Sequence, residues 1–298
     1  MDIWKPDLIY KADLTLGEGA RWHAEWQKFL FIDIKGKLIG TCNPVSGKLF
    51  TKKIAEMPGM LAPAADNRLL VALQGKLVLL DFETGKTQPL IKFKEDAENR
   101  SNDGACDALG RLWVGTMHVN ARHHAGNLYC YNGKLVKKIK NTSVSNGICW
   151  SPDNKTMYYI DSFLYHIKAF DYNLTTGNIS NGRIVVEITG PNMLADGMCI
   201  DNEGMLWVAI WGGSCVNRYN PHNGTCIGKI EINAPNVTSC AFGGKLMNQM
   251  MITTAKDGLS AEELKKYPHS GSLFMVKLNV TGLAAATYKQ QKPQLALA

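Results

Sequence analysis

The chain has 298 residues, 45% of them hydrophobic and 20% charged, with a formal net charge of +7. This composition predicts an ordinary globular protein of one large domain or two smaller ones, and no apolar run is long enough to span a membrane. Its 33 Lys and Arg residues are dispersed and form no stripe interleaved with aromatic residues. We therefore expect neither a nucleic-acid partner nor a membrane partner.

The first six residues lack the apolar core of a signal peptide, which predicts a cytoplasmic protein. Further along, strand-like runs rich in β-branched, aromatic and other apolar residues recur through the chain. Turns of the Asn/Gly type follow most of these runs. The predicted strands span residues 28–34, 68–73, 111–116, 156–161, 205–210 and 249–254. One short helix is predicted near the end, with Ser260 as its N-cap and residues 261–266 as its body.

Three polar triplets ending in Gly repeat along the chain, at 102–104, 145–147 and 195–197. Each is followed by an apolar or small residue, a cysteine and then a turn, and these turns begin at 107, 151 and 201. A period of 40 to 50 residues with about four strands per unit is typical of a β-propeller. Cys106, Cys149 and Cys199 occupy the same place in this repeat, which favours small buried side chains over disulfides.

The sequence therefore predicts an all-β fold, a six-bladed β-propeller with a central channel, formed by residues 1–298 as a single domain. Residues 8–14 are expected to close the last blade, and the tail at 284–298 to form a last strand and then a frayed end. The second blade begins at 58–64 without a polar triplet. The predicted blades are roughly 15–57, 58–98, 99–141, 142–190, 191–234 and 235–285.

Because the first strand of each propeller blade lines the channel, we expect the residues just before it to meet at one mouth. The candidate side chains there are Glu18, Asp103, Asn146, Asp196 and Thr238. Carboxylates crowded around an axis repel one another, and a divalent cation with oxygen ligands relieves the repulsion. The alternative interpretation is that each triplet is only a tight turn whose side chain bonds its own backbone.

Several segments resemble motifs of the gluconolactonase, regucalcin and luciferin-regenerating-enzyme family. Residues 16–22 resemble its Gly-Glu-Gly-Pro-x-Trp opening, with Ala20 in place of Pro. Residues 100–104 and 110–117 resemble its Arg-x-Asn-Asp-Gly and Gly-Arg-x-Trp-x-Gly-Thr-Met block. The other matching segments are 145–162, 196–213 and 239–244. The Thr-Met-His run at 116–118 and the segment 267–271 look more like bacterial sugar-lactonases than animal regucalcins.

The resemblance implies a metal-dependent enzyme that hydrolyses a sugar-acid lactone to its aldonic acid. It implies one divalent ion (Ca²⁺, Mg²⁺, Mn²⁺, Zn²⁺ or Fe²⁺) held by Glu18, Asn146 and Asp196, and it leaves Asp103 outside the ligand set. Arg100 and Asn102 would contact substrate oxygens. Arg122 stands where some members have a substrate-binding Glu, and His118 follows a strand that leads toward the mouth.

In the expected mechanism Asp196 also acts as general base toward water, and the small-molecule sugar lactone is bound by a monomer. Two alternatives stay open. The first alternative to the lactonase is a phosphoester or organophosphate hydrolase of the same fold. The second is a non-catalytic calcium-binding or interaction propeller. The sequence leaves open which sugar and which metal are used, because related lactones differ by one hydroxyl or carbon.

Overall fold

The structure, a computed structural model, describes residues 1–289. It contains 25 strands, one short α-helix and one 3-10 turn. The first fourteen strands are β1 (Asp2–Trp4), β2 (Asp7–Tyr10), β3 (Gly17–His23), β4 (Lys28–Asp33), β5 (Leu38–Cys42), β6 (Leu49–Lys53), β7 (Pro58–Pro63), β8 (Arg68–Leu73), β9 (Lys76–Asp81), β10 (Thr87–Lys92), β11 (Asn99–Cys106), β12 (Leu112–His118), β13 (Gly126–Tyr131) and β14 (Leu135–Thr142). The others are β15 (Ser145–Trp150), β16 (Thr156–Asp161), β17 (His166–Asn173), β18 (Asn178–Glu187), β19 (Leu194–Ile200), β20 (Leu206–Trp211), β21 (Cys215–Tyr219), β22 (Cys226–Glu231), β23 (Asn236–Gly243), β24 (Gln249–Ala255) and β25 (Leu273–Lys277), with the 3-10 turn at Ser162–Leu164 and the helix α1 at Ala261–Lys266.

The strands form six antiparallel sheets, the blades of a propeller. The first four blades are β3–β4–β5–β6, β7–β8–β9–β10, β11–β12–β13–β14 and β15–β16–β17–β18. The fifth blade is β19–β20–β21–β22, to which β1 adds a fifth strand parallel to β22. The sixth is β23–β24–β25, completed by β2 on the outside. The prediction of an all-β six-bladed propeller is therefore confirmed.

The inner strands close a ring, because β3, β7, β11, β15, β19 and β23 each contact the next and β23 contacts β3. Between every pair of neighbouring blades lies one apolar cluster, and there are six such clusters among residues 1–289. Each cluster is built from alternating side chains of two facing sheets, as expected when twisted sheets pack face to face. The core is thus distributed around the ring, and the channel is left to polar side chains at one end.

The terminal segments follow the predictions in part. The strand expected at 8–14 is present as β2, pairs with β25 of the last blade and ends at Tyr10. The helix is confirmed, with Ser260 and Glu263 forming a reciprocal capping box. The described part of the tail is not the predicted strand. Residues 281–289 make only isolated bridges at Gly282 and Tyr288, and residues 290–298 lie outside the described residues.

All eight cysteines are free thiols, and for Cys106, Cys149 and Cys199 this agrees with the prediction from the repeat, although Cys199 is half-buried where a buried side chain was expected. They lie at positions 42, 106, 130, 149, 199, 215, 226 and 240, all within the described range. In the same range no helix combines the length and the apolar character needed to cross a membrane.

Candidate metal centre

The polar triplets lie inside the inner strands, at β-bulges. The expectation that they precede the strands is wrong: β11, β15 and β19 each begin before or at their triplet. At each site the register with the second strand of the blade shifts, because the inner strand has one residue more than its partner between two neighbouring pairs. The slips fall between Glu18 and Arg21, Ser101 and Gly104, Ser145 and Ile148, and Ala195 and Met198. A bulge re-aims side chains locally, and here it occurs in the N-terminal half of the inner strands.

The glycine of two triplets allows neighbouring inner strands to approach closely. A Cβ atom at Gly147 would lie 2.7 Å from the backbone oxygen of Asp196 in the next blade. A Cβ atom at Gly197 would lie 2.8 Å from the backbone oxygen of Thr238. Both distances are shorter than real Cβ contacts, so only glycine fits. The Gly of these two triplets is therefore explained by packing of blade against blade around the channel.

Two carboxyl groups from different blades meet at this end of the channel. Glu18 of β3 and Asp196 of β19 are both buried and lie within hydrogen-bonding reach of each other. Burial, followed by the charge of Asp103, raises the pKa of Glu18 to about 8 from its ordinary 4.5. Burial and the charge of Glu18 raise the pKa of Asp196 well above its ordinary value. Such crowding opposes ionisation of both groups unless a cation is present.

Asn146 presents its amide oxygen to the same region. Its Nδ2 donates to the Ser162 hydroxyl (2.9 Å), and that hydroxyl donates to the backbone oxygen of Ala195 (2.6 Å). The chain of two hydrogen bonds fixes the amide plane, so Oδ1 faces away from Ser162. Ser162 follows β16 directly and ends the family-like segment 145–162, but the sequence assigns it no role, because its partner at Ala195 lies in the next blade.

Arg100 and Asn102 lie beside this group on β11. Arg100 Nη1 donates to Asn102 Oδ1 (2.7 Å), and Asn102 Nδ2 donates to the backbone oxygen of Ser145 (2.8 Å). Burial lowers the pKa of Arg100 to about 10, an effect that the charges of Glu18 and Asp196 oppose. The guanidinium therefore stays charged at neutral pH. Its remaining donors are available to a bound anion or polar ligand.

The residues present fit a hard divalent cation. Asn146 Oδ1 and Asp196 Oδ1 are buried acceptors without a hydrogen-bond partner among residues 1–289. Buried acceptors in proteins are nearly always satisfied, and carboxylate and amide oxygens are the ligands that such cations prefer. Within this range no group of three or more His, Cys, Asp or Glu side chains is arranged to hold a metal. The set formed by Glu18, Asn146 and Asp196 has two carboxyl groups and one amide.

Two aspartates that the sequence analysis did not single out hold the inner strands in place. Asp33, at the end of β4, accepts hydrogen bonds from the amides of Thr15 and Leu16 just before β3. Asp161, at the end of β16, accepts from the amides of Ser143 and Val144 just before β15. Both aspartates end an apolar strand after Ile in the sequence, a repeated signal that could have identified them.

The other candidates lie elsewhere or contact other partners. Asp103 Oδ1 accepts from the amide of Gly104 (2.6 Å), the self-bonding expected of an Asx turn. Thr238 donates to the backbone oxygen of Gly17 and so links the last blade to the first. The buried His118 has both ring nitrogens engaged, Nε2 with Glu98 (3.2 Å) and Nδ1 with the amide of Asn120.

Arg122 lies on the surface beside the His118 segment. Its side chain is 61% exposed and forms a long ion pair with Asp96, at 3.6 Å. No contact joins it to Glu18, Asn146 or Asp196. The structure thus brings together five of the predicted site residues and leaves His118 and Arg122 apart from them.

Comparisons with known proteins agree on one family. The model of the family described as the SMP-30/Gluconolactonase/LRE-like region matches residues 16–256. Regucalcin of Oryctolagus cuniculus is 36% identical over 303 residues, covering 97% of this chain and 99% of the relative. The structure of a regucalcin from Agrobacterium tumefaciens, described as a calcium-binding protein, superposes with a TM-score of 0.92 at 27% identity and covers 97% of this chain and 99% of its own. A luciferin-regenerating enzyme gives a TM-score of 0.88 at 30% identity, with coverage of 95% and 99%.

Proposed function

Because the chain belongs to the SMP-30/gluconolactonase/LRE-like family, we propose that it is a divalent-metal-dependent lactonase that converts a sugar-acid lactone to its aldonic acid. One observation carries the proposal. Two buried carboxyl groups from separate blades meet beside an oriented amide oxygen and a buried arginine. A calcium-binding site alone has no need of the arginine, whereas an enzyme that forms an anionic product does.

Glu18, Asn146 and Asp196 would hold the cation, with Asp103 outside the ligand set. When bound, a divalent cation supplies Lewis-acid polarisation of a lactone carbonyl. Ca²⁺ is the first ion to test, because the Agrobacterium relative is described as calcium-binding. Mg²⁺, Mn²⁺, Zn²⁺ and Fe²⁺ remain candidates.

The chain's own groups then divide the remaining work. Asp196, whose Oδ1 has no hydrogen-bond partner among residues 1–289, would accept a proton from the attacking water as general base. Arg100 would bind the hydroxyl and carboxyl oxygens of the substrate and stabilise the acid product. Asn102 accepts a hydrogen bond from Arg100 and thereby orients it. His118 and Arg122 are proposed as contacts to the outer part of the substrate.

The test uses purified full-length protein, a panel of aldonolactones of five and six carbons, and proton release as the readout. The protein is first treated with chelator, and each of the five metals is then added back. We expect hydrolysis only with metal. Asp196→Ala should lower kcat/KM by at least about a hundredfold, while the matched surface variant Asp153→Ala should retain activity.

Two results would overturn the proposal. Faster hydrolysis of a phosphotriester than of every lactone would place the activity in the other hydrolase class. Tight metal binding by calorimetry without turnover of any lactone would indicate a non-catalytic calcium-binding propeller. A folded, active Asp196→Ala protein would exclude the role given to that residue while leaving the lactonase itself in place.

A further inference from the structure

Two cysteines of neighbouring blades are in contact close to the axis of the propeller. Cys199 of β19 and Cys240 of β23 are 41 positions apart in the chain, yet their sulfur atoms lie 3.7 Å from each other. A disulfide bond needs a sulfur–sulfur distance of about 2.05 Å, so the two atoms would have to approach by about 1.7 Å. Each sulfur moves when its side chain rotates about the Cα–Cβ bond, and a movement of this size is within the reach of two such rotations.

The backbones of the two inner strands are also close beside this pair. Gly197 lies two positions before Cys199, and Ser239 immediately precedes Cys240. A Cβ atom at Gly197 would lie only 2.9 Å from the Cα atom of Ser239. A disulfide requires the Cα atoms of its cysteines to lie within about 7 Å. The close packing of β19 against β23 therefore favours a bond between the two side chains.

A cavity in the channel gives small molecules access to the pair. It has a volume of about 350 Å³, lies along the C-terminal halves of the inner strands, and is lined by both Cys199 and Cys240. The exposed residues Pro152, Leu283 and Ala284 also line it and place its rim in contact with solvent. Cys199 is half-buried, whereas Cys240 is only 2% exposed. An oxidant that enters the cavity therefore meets Cys199 before Cys240.

The surroundings of Cys199 make it a slow nucleophile with a partner in place. Burial, followed by the hydrogen bond with Cys240, raises the pKa of Cys199 well above its ordinary value of 9.0. The thiolate is the reactive form, so the first oxidation is slow at neutral pH. Once Cys199 is oxidised, the thiol of Cys240 is already in contact with it. Oxidation should therefore stop at a disulfide instead of proceeding to a sulfinic acid.

We propose that Cys199 and Cys240 form a peroxide-sensitive dithiol that oxidises to a reversible disulfide between the fifth and sixth blades. The Cys199 thiolate attacks one oxygen of hydrogen peroxide, which gives a sulfenic acid at Cys199 and one molecule of water. The Cys240 thiol then attacks the sulfenic sulfur, so that the sulfur–sulfur bond forms and a second molecule of water leaves. The two thiols lose two electrons, and the peroxide is reduced by two. Neither a metal nor a lactone takes part, so the proposal is independent of the proposed function.

The test is peptide mapping of the full-length protein. The reduced protein is exposed to excess hydrogen peroxide at neutral pH, its free thiols are blocked with iodoacetamide in denaturant, and it is digested with trypsin. Cleavage after Lys and Arg places Cys199 in fragment 184–218 and Cys240 in fragment 230–245. We expect these two fragments to be linked after oxidation and to separate when dithiothreitol is added. Because fragment 184–218 also contains Cys215, the fragmentation spectrum has to show which of its two cysteines carries the bond.

Three serine variants establish the order of the two steps. In Cys240→Ser no link should form, and dimedone, which traps sulfenic acids, should label Cys199. In Cys199→Ser the link should also be absent, and Cys240 should remain a free thiol because it is buried. Cys149→Ser is the matched control, since Cys149 has the same place in the repeat and lines the same cavity. It should form the link with the yield of the wild type.

The proposal is overturned if the folded wild-type protein forms no link between the two fragments under peroxide. It is also overturned if the link persists in Cys199→Ser, if Cys149→Ser abolishes it, or if dimedone labels Cys240 and not Cys199 in the folded protein. Should a serine variant fail to fold, the fragmentation spectrum of the wild-type fragments decides, because a bond from Cys240 to Cys215 contradicts the proposal and a bond to Cys199 supports it.

Discussion

Replacing Glu18 by Gln should change stability in opposite directions with and without metal. In chelator, Glu18 of the wild type is held neutral by burial and by Asp103, because its pKa is raised to about 8. In the unfolded chain the same group ionises near 4.5. Unfolding therefore releases a proton over this range, and the metal-free fold loses stability as pH rises from 4.5 to about 8. Gln, which does not ionise, removes that loss.

The size of the effect follows from linkage. A pKa of about 8 in the fold against 4.5 in the unfolded chain makes metal-free Glu18→Gln more stable than the wild type by an upper bound of about 4 kcal/mol at pH 8 and by about 1 kcal/mol at pH 5. For a chain of this length, each kcal/mol moves Tm by roughly 2 °C. With metal bound the sign reverses, because the wild type keeps its full ligand set and the variant has lost one carboxylate.

The assay is thermal unfolding followed by circular dichroism at pH 5 and pH 8, in chelator and in saturating Ca²⁺ or Mn²⁺. Glu83→Gln, a change on an exposed turn, serves as the control and should leave Tm unchanged in all four conditions. A Glu18→Gln protein that is less stable than the wild type in chelator at pH 8 would refute the reasoning. So would a stabilisation that is equal at the two pH values.

Three further substitutions test the scaffold around the site. Asp201→Ala removes the buried partner of Arg218 and leaves it only the exposed Glu203, so urea unfolding should show a loss of about 3 kcal/mol. Ser162→Ala removes the group that orients Asn146, and calorimetry should show metal affinity falling about tenfold, with a loss of about 1–3 kcal/mol of unfolding free energy in chelator because the buried groups of Asn146 and Ala195 lose their partner. Gly197→Ala brings a Cβ atom to 2.8 Å from the neighbouring inner strand, and should cost about 1–3 kcal/mol of unfolding free energy in the same urea assay.

The repeat was sufficient to predict the fold, because turns and apolar strands recur with a regular period and each blade needs both. It did not predict the bulges. A bulge is a mismatch between two strands, and the sequence of one strand does not show how its partner is aligned. Asn102, Asn146 and Asp196 were for this reason expected before the strands, whereas they lie within β11, β15 and β19. The residues that the repeat singled out nonetheless lie together, since a bulge at the same repeat position places them at the same end of the channel.

The residues that the sequence missed share a physical reason. Asp33, Asp161 and Ser162 contact backbone groups 17 to 33 positions away. The repeated Ile-Asp strand end could mark the two aspartates, but it does not show which amides they bind, and the contact from Ser162 to Ala195 depends on how two blades pack. His118 illustrates the same limit, because its position after a strand follows from the sequence while the contacts of its two ring nitrogens with Glu98 and Asn120 do not.

The distribution of charge explains why so few blades contribute a carboxylate to the channel. The channel contains three carboxyl groups, those of Glu18, Asp103 and Asp196, and two guanidinium groups, those of Arg100 and Arg21. One excess negative charge therefore remains when all five groups are ionised. A divalent cation converts this into one excess positive charge. Such a site favours the developing oxyanion of ester hydrolysis and the carboxylate product. A carboxylate in each of the other three blades would make the metal-bound channel negative again and would oppose the oxyanion. The inner strand of the second blade begins instead with the uncharged Pro58 and Gly59.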